Sequence, residues 1–175
     1  MKKKIIIGLT ATIVFQFFIL TGMYVNAALP LWTGKEIKIS TIPVDPRSMF
    51  RGNYARLRYD ISQLDTHHFP ESDELRNGEV VYIVLKPSTT GLYEFSKGVL
   101  KKPDSGVFLR GRIENRHYEK KVKSFRIKYG IEAYFAPKEK ALALEKNLRV
   151  SGVAVLMVTK EGRARLKDVV PDIKN

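Results

Sequence analysis

Hydrophobic residues follow two rhythms along this chain. From Ile5 to Ala28 no residue is charged, and only Thr10, Thr12, Gln16, Thr21 and Asn26 interrupt an apolar run. As a helix this run spans about 36 Å at 1.5 Å per residue, enough to cross a hydrocarbon layer of about 30 Å. A secretory signal holds only about 7–15 apolar residues, so the length predicts an uncleaved transmembrane anchor. Val25-Asn26-Ala27 resembles a small-residue cleavage site, which leaves a removed signal peptide as the alternative. Lys2, Lys3 and Lys4 at one end place the N-terminus inside and the bulk of the chain outside the cytoplasm. Tyr24 and Trp32, near the other end, suit an interfacial aromatic belt. Pro30 and Gly34 predict a turn or linker.

Beyond Gly34 the period falls to two. Lys35 to Ile42 predicts a strand with Ile37 and Ile39 on one face. Pro43 and Pro46 punctuate a loop that turns at Gly52. After it, Asn53, Ala55, Leu57, Tyr59 and Ile61 alternate with Tyr54, Arg56, Arg58 and Asp60, the pattern of one half-buried strand. Residues 66–78 are polar and read as a loop with one helical turn. Glu79 to Lys86 is β-branched on both faces, as a central strand would be. Further strands are expected over 92–100, 106–114 and 122–129, with a closing hairpin of 148–159 and 163–169 around Lys160-Glu161-Gly162. Pro137 to Lys146 holds helix formers and Glu–Lys pairs, predicting one short helix. The architecture expected is a mainly-β barrel or sandwich at residues 35–171, following an anchor or signal at 1–29.

Charge narrows the partners. The 31 Lys and Arg residues outnumber the 18 acids in the 175-residue chain. No acid precedes Glu36, so the exported part keeps a surplus of about ten positive charges after the three N-terminal lysines are set aside, a bias toward anionic partners. An anionic lipid or cell-envelope polymer fits, as does a membrane-protein partner. Nucleic acid does not, because the domain is exported and its aromatics are not interleaved with bases. There is no cysteine, which removes disulfides, thiolate ligands and a cysteine nucleophile.

Little else in the chain points to catalysis. The adjacent His67 and His68 point to opposite faces if extended, and His117 is remote in the chain, so no metal and no cofactor is expected. Ser48-Met49 near the anchor suggests a membrane-tethered hydrolase of signal-peptidase type. However, Phe50-Arg51 follows, and no lysine occupies a recognisable second box. The polar constellation is Asp45, Arg47, Arg51, Asn53 and Arg56, with Glu132 further on. An aspartate beside two arginines forms either an ion pair that fixes a loop or a guanidinium fork for a carboxylate or phosphate.

The run Val44-Asp45-Pro46-Arg47…Arg51-Gly52-Asn53-Tyr54-Ala55-Arg56-Leu57-Arg58-Tyr59 resembles the signature of the bacterial GDYxxLxY proteins. Lys128-Tyr129-Gly130-Ile131-Glu132-Ala133-Tyr134 is similar to their second shared block. The motif's aspartate is Asn53 here, so a catalytic acid at that position is absent, which favours a structural or binding role. The resemblance implies a membrane-associated protein and brings no activity with it. The expected site residues are Asp45, Arg47, Arg51, Asn53, Tyr54, Arg56 and Tyr59, joined by Tyr129, Gly130, Glu132 and Tyr134. The function expected is that of a membrane-anchored accessory or binding module.

Overall fold

The N-terminal apolar run forms α1, Lys2–Thr33, a helix long and apolar enough to cross a membrane. The structure, a computed structural model, describes residues 2–42, 54–69, 75–118, 123–135 and 152–171. α1 continues through Pro30, where a turn was expected, and ends where the Gly34 N–H donates to the Pro30 carbonyl at 3.0 Å. Pro30 is buried. The last turns are held by the strands beside them: Arg165 Nε donates to the Ala27 carbonyl at 3.1 Å, and Arg163 Nη1 to Asn26 Oδ1 at 3.3 Å. Tertiary contact therefore outweighs the local tendency of proline to stop a helix.

The rest of the described chain is mainly β. β1 (Lys35–Ile42) follows α1 directly; β2 (Tyr54–Arg56) and β3 (Arg58–Tyr59) carry the motif. A short 3₁₀ turn, Asp60–Ser62, leads to β4 (Gln63–Asp65), and a second, Thr66–His68, supplies the helical turn expected in the polar loop. Then come β5 (Val80–Pro87), β6 (Tyr93–Val99), β7 (Val107–Tyr118), β8 (Lys123–Lys128), β9 (Ala133–Phe135), β10 (Gly152–Val158) and β11 (Ala164–Pro171). The helix expected at 137–146 lies outside the described residues.

Among the described residues three antiparallel sheets form, ordered β11-β10-β1-β3, β2-β9 and β4-β8-β7-β5-β6. β5 is interior to its sheet, as its apolar composition predicts, with Val81, Ile83 and Leu85 buried on one face. Register shifts at Val84/Leu85, Glu114/Arg116 and Val155/Leu156 add bends that curl the larger sheets. The chain crosses from the four-stranded to the five-stranded sheet at β3–β4, and the core lies between them. Ile37 and Ile39 of β1 and Leu156 of β10 join Leu109, Ile113, Phe125 and Ile127 there. Each such side chain contributes about 1.5–3 kcal/mol on burial.

The motif strand differs from its expected form. Instead of one strand over 53–61, the chain breaks at Leu57, pairing β2 with β9 and β3 with β1. At the break the Leu57 N–H leaves both ladders and donates to the Glu132 carbonyl at 2.8 Å. The 3₁₀ turn then ends the run early, with Ser62 Oγ accepting from the Tyr59 N–H at 3.1 Å. Alternation persists across the break, because Leu57, Tyr59 and Ile61 all point into the core.

Candidate functional site

Two tyrosines fasten the first motif block to the second. Tyr59, at the end of β3, is 1% exposed and donates its hydroxyl to the Ile131 carbonyl at 2.6 Å. Tyr129, just after β8, is buried and donates to the Ile61 carbonyl, also at 2.6 Å. A buried phenol needs such a partner, and the short O–H···O distances satisfy both. Burial pushes both phenols well above the ordinary tyrosine pKa, and the nearby negative charge of Glu132 adds to the rise.

Glu132 shapes the turn between these partners. Its Oε1 accepts the Tyr129 N–H at 2.5 Å, while its Oε2 accepts the Gly130 N–H at 3.0 Å. Gly130 has φ +81°, a left-handed conformation that side chains disfavour. The two N–H groups thus converge on one carboxylate, and the Glu132 carbonyl receives Leu57. Gly111 on β7 lies beneath: a Cβ there would collide with Ile127 Cγ2 and meet Tyr129 Cε1 at 3.0 Å. Only a glycine lets the Tyr129 ring settle this deeply. Tyr134 in β9 donates to Asp168 Oδ1 of β11 at 2.9 Å, tying the second block to the four-stranded sheet.

The structure therefore brings Tyr59, Tyr129, Gly130 and Glu132 together, with Tyr134 nearby in sequence but turned toward β11. Tyr54 and Arg56 lie in β2, opposite Phe135 and Ala133 of β9. Asp45, Arg47, Ser48, Arg51 and Asn53 lie outside the described residues, so neither the ion-pair arrangement nor the hydrolase geometry enters the description. His67 sits 3.8 Å from Asp65, and the His68 ring packs edge-on against Phe95 at 4.8 Å.

A second feature had no place among the expected residues. Where α1 meets the sheets, a cleft of ≈ 490 Å³ opens, with Asn26, Ala27 and Pro30 forming its helix wall. The opposite wall carries Arg110 and Arg112 of β7, Lys128 of β8, and Arg163 and Arg165 around the start of β11. Tyr129 and Gly130 complete it, so the turn held by Glu132 is also part of the cleft surface. The Arg110 N–H donates to the Gly162 carbonyl at 2.8 Å, which sets β7 beside the β10–β11 turn. Among the described residues no carboxylate lines the cleft. Lys128 faces Glu114 at 3.4 Å, and Arg112 Nη1 donates to the Gly78 carbonyl at 2.9 Å. A hollow of ≈ 340 Å³, sharing Asn26, Pro30, Arg110 and Arg163, adjoins it. In the sequence the only trace of this cleft is an Arg-x-Arg pair in two separate places, Arg110-Gly111-Arg112 and Arg163-Ala164-Arg165. Alternation puts Arg110 and Arg112 on one face of β7, and Arg163 and Arg165 flank the first residue of β11.

The fold and the site together define a small mainly-β domain docked on one long apolar helix and closed by paired tyrosines. The family model for the GDYXXLXY protein matches residues 16–169, and the chain belongs to that family. The match takes in the C-terminal half of α1 as well as both motif blocks. No curated protein and no solved structure matches the chain.

Proposed function

We propose that the chain is a single-pass membrane protein whose β domain lies outside the cytoplasm and acts as a binding module for anionic groups at the membrane surface. The carrying observation is the basic cleft at the foot of α1, with five cationic side chains and no acidic one in its wall among the described residues. The three lysines at the inner end of α1 favour this orientation, and the positive surplus of the rest of the chain favours anionic partners. On this reading the motif's tyrosines build the domain and the cleft does the binding. An accessory role toward a membrane-protein partner is compatible with the same arrangement, the cleft then receiving acidic side chains.

Orientation is tested first. The chain has no cysteine, so Thr89→Cys in the exposed β5–β6 turn introduces a single thiol. An impermeant maleimide should label it in sealed right-side-out vesicles without detergent. Labelling only after permeabilisation would place the domain inside and overturn the proposal. Binding is tested on the full-length protein by the lipids and polymers that it retains on extraction in native membrane discs. Retention of anionic species that falls as salt is raised is the expected result, and retention at bulk composition contradicts it.

A further inference from the structure

The cleft's level along α1 narrows what it takes. Counting from Ile5, about 20 helical residues fill a hydrocarbon layer of about 30 Å, which brings the outer boundary to Tyr24. Tyr24 and Trp32 are both exposed, with ring centroids 6.4 Å apart edge-to-face. Amphipathic rings of this kind settle at the headgroup level. Asn26, Ala27 and Pro30, the helix wall of the cleft, lie between them in the chain. The cleft thus opens among the headgroups themselves and not above them.

Its chemistry matches that level. We infer that the cleft holds the headgroup phosphate of an anionic phospholipid from the leaflet where α1 leaves the membrane, an assignment that rests on the binding-module reading above.

Each guanidinium carries five N–H donors in a planar fork suited to phosphate. Arg163 and Arg165 each spend one donor on a neutral group of the helix, the Asn26 amide oxygen and the Ala27 carbonyl. Those bonds orient the forks without neutralising them. None of Arg110, Arg112, Arg163 and Arg165 forms an ion pair among the described residues. Glu161, which borders the adjoining hollow, bonds to Lys102 at 2.6 Å and feels the charges of Arg163 and Arg110 without an ion-pair contact to either among the described residues. The volume of ≈ 490 Å³ lies within the range of about 300–1,000 Å³ typical of small-ligand sites. Ala27, Pro30 and Ala164 supply an apolar rim for the glycerol end, while the arginines face the phosphate. A headgroup seated there would bridge α1 to β7 and β11.

The test uses the full-length protein reconstituted in mixed phosphatidylcholine and phosphatidylglycerol bilayers, then cut out in polymer-bounded discs. The readout is the ratio of the two lipids co-purified with the protein against the bulk ratio. Wild type should enrich phosphatidylglycerol, and Arg110→Ala/Arg163→Ala should return the ratio toward bulk. At low salt each removed arginine is expected to weaken the preference about fivefold. Lys97→Ala/Lys101→Ala removes the same charge outside the cleft and should keep the enrichment. Should the double arginine variant fail to fold, Arg163→Glu replaces it, because the Arg163 side chain is exposed and its one bond is to Asn26. Enrichment unchanged in the arginine variants would overturn the cleft as the binding site, both here and in the reading above, and leave only anionic-lipid binding by another surface of the domain. Wild type at the bulk ratio that still binds a soluble glycerol-phosphate polymer would also overturn the lipid assignment alone. Wild type that retains neither would overturn both.

Discussion

Tyr59 and Tyr129 hold each other's loops: each donates its hydroxyl at 2.6 Å to the carbonyl two residues beyond the other tyrosine. These bonds join residues 72 and 68 positions apart, so the clamp closes the chain over a long separation. Three of the motif's features have visible structural work. Leu57 makes the switch between sheets, Tyr59 makes half of the clamp, and the second block supplies the acceptor, the other tyrosine and the carboxylate that shapes its turn. The cleft wall depends on that same turn through Tyr129 and Gly130.

Alkaline pH should release the clamp. Both phenols have native pKa values above the ordinary value near 10. Above that pH the unfolded chain gives up protons that the native state keeps, so stability present below pH 10 is lost as pH rises toward the native values. With one proton at each tyrosine, the pair contributes a loss of about 2.7 kcal/mol per pH unit above 10. Unfolding of the full-length protein in detergent, followed with pH by near-ultraviolet circular dichroism, measures it. Tyr59→Phe should make the dependence shallower.

Glu132 should matter through its acceptors more than its exposure. Glu132→Ala leaves the Tyr129 and Gly130 N–H groups without their carboxylate and is expected to cost about 1–3 kcal/mol. Glu132→Gln keeps an acceptor oxygen and should cost less. Denaturant midpoints of the two variants give the order directly, and equal midpoints would count against the capping role.

Gly111→Ala tests the seat beneath the ring. The added methyl would collide with Ile127 and press on Tyr129, and such overpacking costs about 1–3 kcal/mol. The melting temperature should fall, and amide exchange should rise around Ile61 and Ile131, the two clamp acceptors. A neutral substitution would mean that the Tyr129 ring has room to move.

Much of this fold was legible because it rests on local pattern. The apolar run named α1, period-two alternation found β1 and β8, β-branched composition found β5, and turn residues set off β6, β7 and the β10–β11 hairpin. The break at Leu57 was not legible, since alternation runs unchanged through it and its cause is a backbone bond to Glu132. β9 was hidden by its length of three residues. Pro30 reads as a turn until β10 and β11 are placed against it. Of the site, the two motif blocks could be seen as separate stretches. Their union could not, because both tyrosines bond to backbone carbonyls, and a carbonyl has no side-chain signature. The Arg-x-Arg pairs were visible too, but only the topology sets β7 beside the β10–β11 turn.

The central claim is that the motif tyrosines act as one clamp that builds the domain. A double-mutant cycle on Tyr59→Phe and Tyr129→Phe, read as unfolding free energy of the full-length protein, tests it most directly. Each single variant should lose about 1–3 kcal/mol, because a buried carbonyl is left unpaired. The double variant should fall short of the sum by about 0.5–3 kcal/mol, the range for coupled neighbours. Strictly additive losses, or single variants as stable as the wild type, would contradict the clamp.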